Sequence, residues 1–255
     1  MVIRPEQMRA FEQAARRRFE EEMVVHSKSF APPLCKVIGD EQLRVALRAA
    51  IARAEHYGFT NRGPIRLFIE MMFLCGSGLD TDPQYPALGE VLRASGDQML
   101  RAQQIHEGHN DYLKRVSGPG AVNVHKALRD LLTFARTPLT IAPNNLIQGM
   151  LREMTRIFPQ KTAYVGEAGL RVLIDEGIAE AQRYRFEGAR PGALLVVLKF
   201  AFGHGCTDDP LYPWIAQTLK DERTVSPAAR AERLEEKALT WLQHVVARNE
   251  QASHP

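Results

Sequence analysis

The strongest constraint on the fold is a repeat, because residues Gly39–Pro86 align without a gap to Gly166–Pro213, 127 residues further along. Eighteen of the 48 paired positions are identical, where ordinary composition would give roughly three. The identities fall on hydrophobic residues, glycines and prolines, which are the positions that shape a fold. The clearest part reads YGFTNRGPIRLFIEMMFLCGSGLDTDPQYP in the first copy and YRFEGARPGALLVVLKFAFGHGCTDDPLYP in the second. The sequence therefore predicts two similar structural units.

Both units have the hydrophobic pattern of helices. The segment 6–25 shows the spacing most clearly, since its apolar residues recur every three or four positions. These residues are Met8, Phe11, Ala15, Phe19 and Met23. Phe30–Pro33 is expected to end this segment. Two segments, Ile65–Cys75 and Ala193–Phe202, are apolar nearly all round and are expected at the centre of the core. No run alternates with the period of a strand, so we predict an all-α protein.

The repeat also predicts the organisation of the chain. Residues 1–116 form the first helical unit, 117–143 a linker with a connecting helix, and 144–255 the second unit. We expect the two most apolar helices, one from each unit, to pack together about a pseudo-two-fold axis. The tandem units would then form one globule.

Composition excludes several classes of function. The chain has 255 residues and a net charge of +3. Residues 1–127 carry 17 basic and 15 acidic side chains, and residues 128–255 carry 16 and 15. Neither half has the basic excess of a nucleic-acid-binding surface. The longest apolar run is too short to span a bilayer. Three cysteines form no disulfide framework, which favours a reducing cytoplasm.

Four aspartates lie in the repeated loops, namely Asp80, Asp82, Asp208 and Asp209. Paired carboxylates can hold Mg²⁺ or Ca²⁺. However, only the Asp82/Asp209 pair recurs in both copies, each time before a proline. This pattern favours capping of the following helix over metal binding.

Histidines and cysteines offer two further patterns. His106 and His109 are spaced to share one helix face as metal ligands, but no neighbouring residues complete a site. His204 and Cys206 flank Gly205 and could form a nucleophilic pair, although the first copy has neither residue. We interpret the histidine pair as exposed residues, and the other pair as part of a helix C-terminal turn.

Glu70 and Lys199 are charges on the two helices predicted to be most buried. A buried charge is costly without a partner. The two residues could pair with each other or with Arg66, or they could mark a pocket between the repeats. A structural ion pair is the favoured interpretation.

Aromatic residues recur beside the loop prolines. Tyr85 and Tyr212 share the pattern D-P-x-Y-P, and Trp214 follows the second copy. Such residues can anchor a partner protein. The alternative is that they pack each loop onto the protein's own core.

The first 92 residues contain IRPEQMRAF, RRF, GDEQLR, RAEHYGFTNR, FIEMMF and DTDPQYP. They resemble an uncharacterised helical family found beside bacterial type VI secretion genes, namely those for PAAR spike proteins and their fused toxins. The second copy resembles it more loosely. The chain departs from the family where it has CGSGLD in place of a charged, aromatic FGxDFD pattern. The resemblance implies a cytoplasmic protein that binds another protein, and it supplies no catalytic residues.

We therefore predict a non-enzymatic immunity protein that binds and neutralises a cognate toxin, such as a nuclease. The expected contact surface consists of Asp80, Asp82, Tyr85, Asp208, Asp209, Tyr212 and Trp214. The alternatives are an adaptor or chaperone that loads the toxin onto the secretion spike, or an enzyme with a site between the repeats. We expect no cofactor, no metal, and no nucleic-acid or membrane partner.

Overall fold

A computed structural model describes residues 4–221, 223 and 226–252. The other residues of the two predicted units lie outside this part of the chain. Within these residues the chain forms eleven α-helices and no strands, which confirms the all-α class. The helices are α1 (Pro5–Phe30), α2 (Pro32–His56), α3 (Arg62–Cys75), α4 (Pro86–Arg93), α5 (Gln98–Tyr112), α6 (Val122–Arg136), α7 (Leu146–Ile157), α8 (Pro159–Arg183), α9 (Ala189–Phe202), α10 (Pro213–Leu219) and α11 (Pro227–Ala252). We call residues 4–116 the first half and the described part of 144–252 the second half.

Proline sets many of the helix starts. It occupies the first position of α1, α2, α4, α8, α10 and α11, where its fixed φ suits a helix and its missing N–H costs no bond. The positions of these prolines show that the capping role predicted for Asp82 and Asp209 is wrong. The helices begin at Pro86 and Pro213, and their N-cap residues are tyrosines. Each carboxylate instead accepts one hydrogen bond from a backbone N–H of its own loop and one from the loop of the other half.

The helix bounds of the two halves differ by a constant number of residues. α2 begins at residue 32 and ends at 56, and α8 begins at 159 and ends at 183, a difference of 127 at each end. The same difference relates α3 to α9. Both α2 and α8 are interrupted by a non-helical glycine, at Gly39 and Gly166.

The halves differ in their first helices. α1 runs as one helix of 26 residues and ends at Phe30, as the sequence predicted. Its counterpart α7 has only 12 residues. A loop over Thr137–Asn145, which includes a single 3₁₀ turn, separates α7 from α6. The chain is therefore non-helical at 137–145, whereas the residues 127 positions earlier, 10–18, lie within α1.

The core centres on α3 and α9, as their apolar sequences predicted. Ile69 of α3 and Leu195 of α9 are fully buried. α9 packs chiefly along α8, and α3 packs along α2 and α5. The prediction that α3 and α9 pack along each other is therefore wrong, because these two helices meet only at their C-terminal ends. No helix among the described residues is both long and apolar enough to cross a membrane.

Candidate functional site

The C-terminal ends of α3 and α9 meet where the two halves join. Gly76 follows α3 with a φ of 90°, and Gly203 follows α9 with a φ of 98°. A Cβ atom added to Gly76 would lie 2.4 Å from the carbonyl oxygen of Phe202, and one on Gly203 would lie 2.6 Å from that of Cys75. Only glycine tolerates both this backbone conformation and this close contact.

Two aspartates connect the halves at the same junction. Asp82 Oδ2 accepts a hydrogen bond from the backbone N–H of His204 at 2.8 Å, and Asp209 Oδ2 accepts one from the N–H of Ser77 at 2.7 Å. Both carboxylates are 2% exposed. Burial raises the pKa of Asp209, although the backbone hydrogen bonds from Ser77 and Leu211 oppose this shift. The two aspartates thus form a reciprocal pair of contacts between the halves.

The remaining two loop aspartates have different environments. Asp80 is buried and forms an ion pair with Arg53, whose Nη2 lies 2.7 Å from Oδ1. The hydroxyl of Tyr57 donates to Asp80 Oδ2 at 2.6 Å. Asp208 is exposed and pairs with Lys220. Asp80 therefore belongs to the interior, and only Asp208 is open to solvent.

The four aspartates do not form the acidic contact surface that the sequence predicted. Asp80, Asp82 and Asp209 are buried, because each neutralises or caps a group of the protein itself. A negative surface needs charged groups that are exposed and have no neutralising partner. These three carboxylates are buried, and each is bound to groups of the protein itself.

The predicted aromatic anchors are half-buried and contact neighbouring rings. Tyr85 lies edge-on to Tyr112, with ring centroids 5.6 Å apart. Tyr212 and Trp214 both contact Phe202, at centroid distances of 4.3 and 6.3 Å. Burial raises the pKa values of Tyr85 and Tyr212. These rings pack the loops onto the core, and their role in partner contact stays a prediction.

Glu70 and Lys199 do not pair with each other. Lys199 lies 2.8 Å from Glu180 across the α8–α9 contact. Glu70 Oε1 accepts a hydrogen bond from Arg66 Nε at 2.9 Å and lies 2.8 Å from His26 Nε2. Each charge therefore has a partner within its own half, in agreement with a structural role.

His204 bridges the halves with its side chain. Its Nδ1 lies 3.3 Å from Glu176 Oε2, and its Nε2 lies 3.0 Å from Thr81 Oγ1. Burial alone would lower the pKa of His204, but the hydrogen bond with Glu176 and the charge of Asp82 raise it. Cys206 is fully buried, and burial raises the pKa of its thiol. The ring is thus directed to a hydroxyl and a carboxylate, and Cys206 lacks the thiolate character of a nucleophile.

The other histidine pair has local contacts. His106 Nε2 lies 3.0 Å from Asn110 Nδ2, and burial lowers the pKa of His109. Across the part of the chain that the structure describes, no group of three or more potential metal ligands occurs.

Lys161 is a buried residue that the sequence reasoning missed. Its Nζ donates a 2.5 Å hydrogen bond to the carbonyl oxygen of Phe200 and lies 4.4 Å from the centre of that ring. Burial lowers the pKa of Lys161 to about 8, although the negative charge of Asp82 acts to raise it. Lys161 lies just before the aligned repeat, and the offset of 127 places it opposite the apolar Leu34, a signal that only the matching bounds of α2 and α8 make visible.

Exposed hydrophobic side chains are unevenly distributed between the halves. Among the described residues, the first half exposes ten large hydrophobic side chains and the second half exposes only Val172. The ten are Met8, Phe11, Val25, Phe30, Val37, Val45, Leu74, Met99, Leu100 and Leu113. Exposed apolar surface of this kind, when contiguous, is typical of protein interaction sites. Among the described residues, the exposed apolar side chains are thus concentrated in the first half.

Comparisons of the chain with protein-family models, with curated proteins and with solved structures found no match.

Proposed function

We propose that this chain is a cytoplasmic, non-enzymatic immunity protein that binds a cognate toxin of an interbacterial secretion system. The observation that carries the protein-binding part is the unequal exposure of apolar side chains, ten in the first half against one in the second. Two halves with similar helices would not need such different surfaces for stability alone. The toxin part rests on the sequence resemblance. Three free, buried cysteines accord with a reducing compartment.

We infer further that the two halves, 1–116 and 144–255, are copies of one unit joined by the 117–143 linker. The constant offset of 127 between helix bounds supports this inference. So does the reciprocal hydrogen bonding of Asp82 and Asp209, which is the arrangement that a pseudo-two-fold axis would produce. The pair of halves would then act as one body.

Recognition of the toxin would depend on apolar contact more than on charge. Inhibitors of nucleases often present an acidic face, but the loop aspartates are largely buried here. The chain's exposed carboxylates are frequently paired with arginine, as in the Arg16–Glu55 and Arg44–Glu21 pairs. Surface ion pairs of this kind contribute little energy to either folding or binding. We therefore place the toxin on the apolar surface of the first half.

The test is co-expression with the toxin encoded beside the gene for this protein. Cell survival together with a stable complex containing the toxin's catalytic domain alone would support immunity. Continued killing, with binding only to the full-length toxin or the spike, would indicate the adaptor function instead. An absence of any complex would contradict both functions.

A second candidate function has one observation in its favour. Thr81, His204 and Glu176 place a hydroxyl, an imidazole and a carboxylate in the order of a hydrolytic triad. Hydrolysis of p-nitrophenyl acetate that is lost in Thr81→Ala and retained in Thr81→Ser would support an esterase. Equal rates in all three proteins would reject it.

A further inference from the structure

A cavity of about 130 Å³ lies between α6 and helices of the second half. Residues of α6, α7, α8, α9 and α11 form its walls. Most of these side chains are apolar, as are Leu128, Met150 and Met154. Among the described residues that line it, Glu153 and Lys161 are charged. Apolar walls around a few polar groups are typical of small-molecule sites, and we call this space the Lys161 cavity.

A second cavity, of about 80 Å³, adjoins the Lys161 cavity. The two spaces share one wall, which consists of Leu131, Phe134, Val197, Ala201 and Trp241. Ala201 is exposed, so the shared wall reaches the protein surface there. The space open to a ligand is therefore longer than the Lys161 cavity alone.

The ammonium group of Lys161 is incompletely bonded. Lys161 is 6% exposed, and its Nζ donates a hydrogen bond to the carbonyl oxygen of Phe200. An ammonium group has three N–H donors. The other two have no acceptor within the described part of the chain. Because a buried charge is costly unless it is neutralised and hydrogen-bonded, this group favours a ligand that supplies both a negative charge and acceptor oxygens.

The carboxylates in the surroundings of Lys161 are bound to other groups. Glu153, in the same lining, pairs with Arg156, whose Nε lies 2.8 Å from Glu153 Oε2. The charge of Asp82 acts on Lys161 without an ion pair between them, and the Asp82 oxygens accept hydrogen bonds from the backbone N–H groups of Gln84 and His204. Neither carboxylate therefore supplies the missing partner of the ammonium group.

Packing alone does not require a charge at this place. Lys161 is the third residue of α8, and the third residue of α2 is the half-buried Leu34. Both helices have 25 residues and a non-helical glycine at the same place, so a leucine suits the local structure equally well. A buried ionisable group beside a cavity is typical of a functional site.

We propose that the Lys161 cavity binds a small monocarboxylate with an apolar tail, a fatty acid, whose carboxylate pairs with Lys161 and whose tail lies against the apolar walls. The carboxylate supplies the counter-charge and accepts hydrogen bonds from the free N–H groups. The tail gains the free energy of leaving water, and the adjoining cavity gives room for a longer chain. A neutral ligand would leave the ammonium group without a counter-charge. The site is separate from the exposed apolar residues of the first half, so this inference does not depend on the proposed immunity function.

Calorimetric titration of the full-length protein with octanoate tests this proposal. We expect saturable one-to-one binding at pH 7, weakened at least tenfold in Lys161→Met, which removes the charge and keeps a side chain of similar length. Lys36→Met, at an exposed lysine of α2, should bind octanoate like the wild type. If the wild type does not bind octanoate, or if Lys161→Met binds it equally well, the proposal is wrong. No toxin enters these measurements, so neither result bears on the proposed function.

A neutral probe and a second variant separate the charge from the cavity. 1-Octanol has the same tail without the carboxylate, and we expect it to bind the wild type more weakly than octanoate does. Ala127→Leu fills part of the cavity and leaves Lys161 in place, so it should weaken octanoate binding even if Lys161→Met does not fold. Circular dichroism checks the folding of each variant. Equal affinity for octanoate and 1-octanol would reject the pairing with Lys161, and unchanged octanoate binding in Ala127→Leu would reject the cavity as the site.

Discussion

Asp82 of the first half accepts a hydrogen bond from the backbone N–H of His204 in the second half, across 122 residues of sequence. The equivalent bond in the reverse direction joins Asp209 to Ser77. A carboxylate that is 2% exposed can remain in the interior only if such bonds replace its hydration. The two contacts therefore make the junction dependent on both loops.

Replacement of Asp82 by alanine should lower the free energy of unfolding by about 2–4 kcal/mol, because the His204 N–H loses its acceptor in a buried site. Asp209→Ala should have a similar effect. Asp208→Ala, at an exposed residue, should change stability by less than about 0.5 kcal/mol. Urea unfolding followed by circular dichroism measures all three. Equal stability of the Asp82 and Asp208 variants would contradict the structural role of the junction.

Replacement of Gly76 by alanine should destabilise the protein by about 3 kcal/mol or more, because the positive φ adds strain and the new Cβ meets the carbonyl oxygen of Phe202. Gly96 provides the control. It also has a positive φ, of 123°, but a Cβ there meets nothing within 4 Å. Gly96→Ala should therefore carry the backbone strain alone, about 1–3 kcal/mol, and be less destabilised than Gly76→Ala. Thermal unfolding that ranks the two variants equally would argue against the close contact at Gly76.

Lys161 should make stability depend on pH in the alkaline range. Its pKa falls from an ordinary 10.5 to about 8 because it is buried. Between these values the unfolded chain binds more protons than the folded one, so the contribution of Lys161 to stability rises with pH, by about 3 kcal/mol in total. The raised pKa values of the buried thiols act in the opposite direction, so the contribution of Lys161 is read from the difference between the wild type and a Lys161 variant. Below pH 8 both states are protonated and this contribution is constant.

Lys161→Met should remove this contribution. Near pH 7 the variant should be more stable than the wild type, because it no longer buries a charge. The lost hydrogen bond to Phe200 should reduce this gain by about 1 kcal/mol. The exposed Lys36 is the matched control, since Lys36→Met should keep the rise. Urea unfolding at pH 7, 8, 9 and 10 provides the comparison. If stability depends on pH in the same way in Lys161→Met and in the wild type, the dependence comes from another titratable group.

The three thiols should be unreactive in the folded protein. Cys35, Cys75 and Cys206 are each 5% exposed or less, and burial raises all three pKa values, that of Cys75 to about 12. We expect a colorimetric thiol reagent to modify less than one equivalent in buffer and three in denaturant. Rapid modification of one thiol in buffer would show that its site opens.

The sequence by itself determined the all-helical class and the central place of α3 and α9, because hydrophobic spacing is a local property of each segment. It also located the end of α1, since Phe30–Pro33 interrupts the helical pattern. The loop prolines indicated the regions in which α4 and α10 begin. The Asp-Pro pattern could not show whether the aspartate caps that helix or accepts a hydrogen bond from a backbone amide distant in sequence. An aspartate before the first proline of each loop is compatible with either role.

The tertiary structure alone decided which charges are internal and which apolar residues remain exposed. Asp208 and Asp209 are adjacent in the sequence, yet Asp209 is buried against the other half and Asp208 is open to solvent. Phe30 and Ile157 are the last residues of α1 and α7, yet Phe30 is 39% exposed and Ile157 is 7% exposed. The physical reason is that burial depends on groups distant in sequence, such as His204, which lies 122 residues from Asp82, and no local pattern records where those groups will lie.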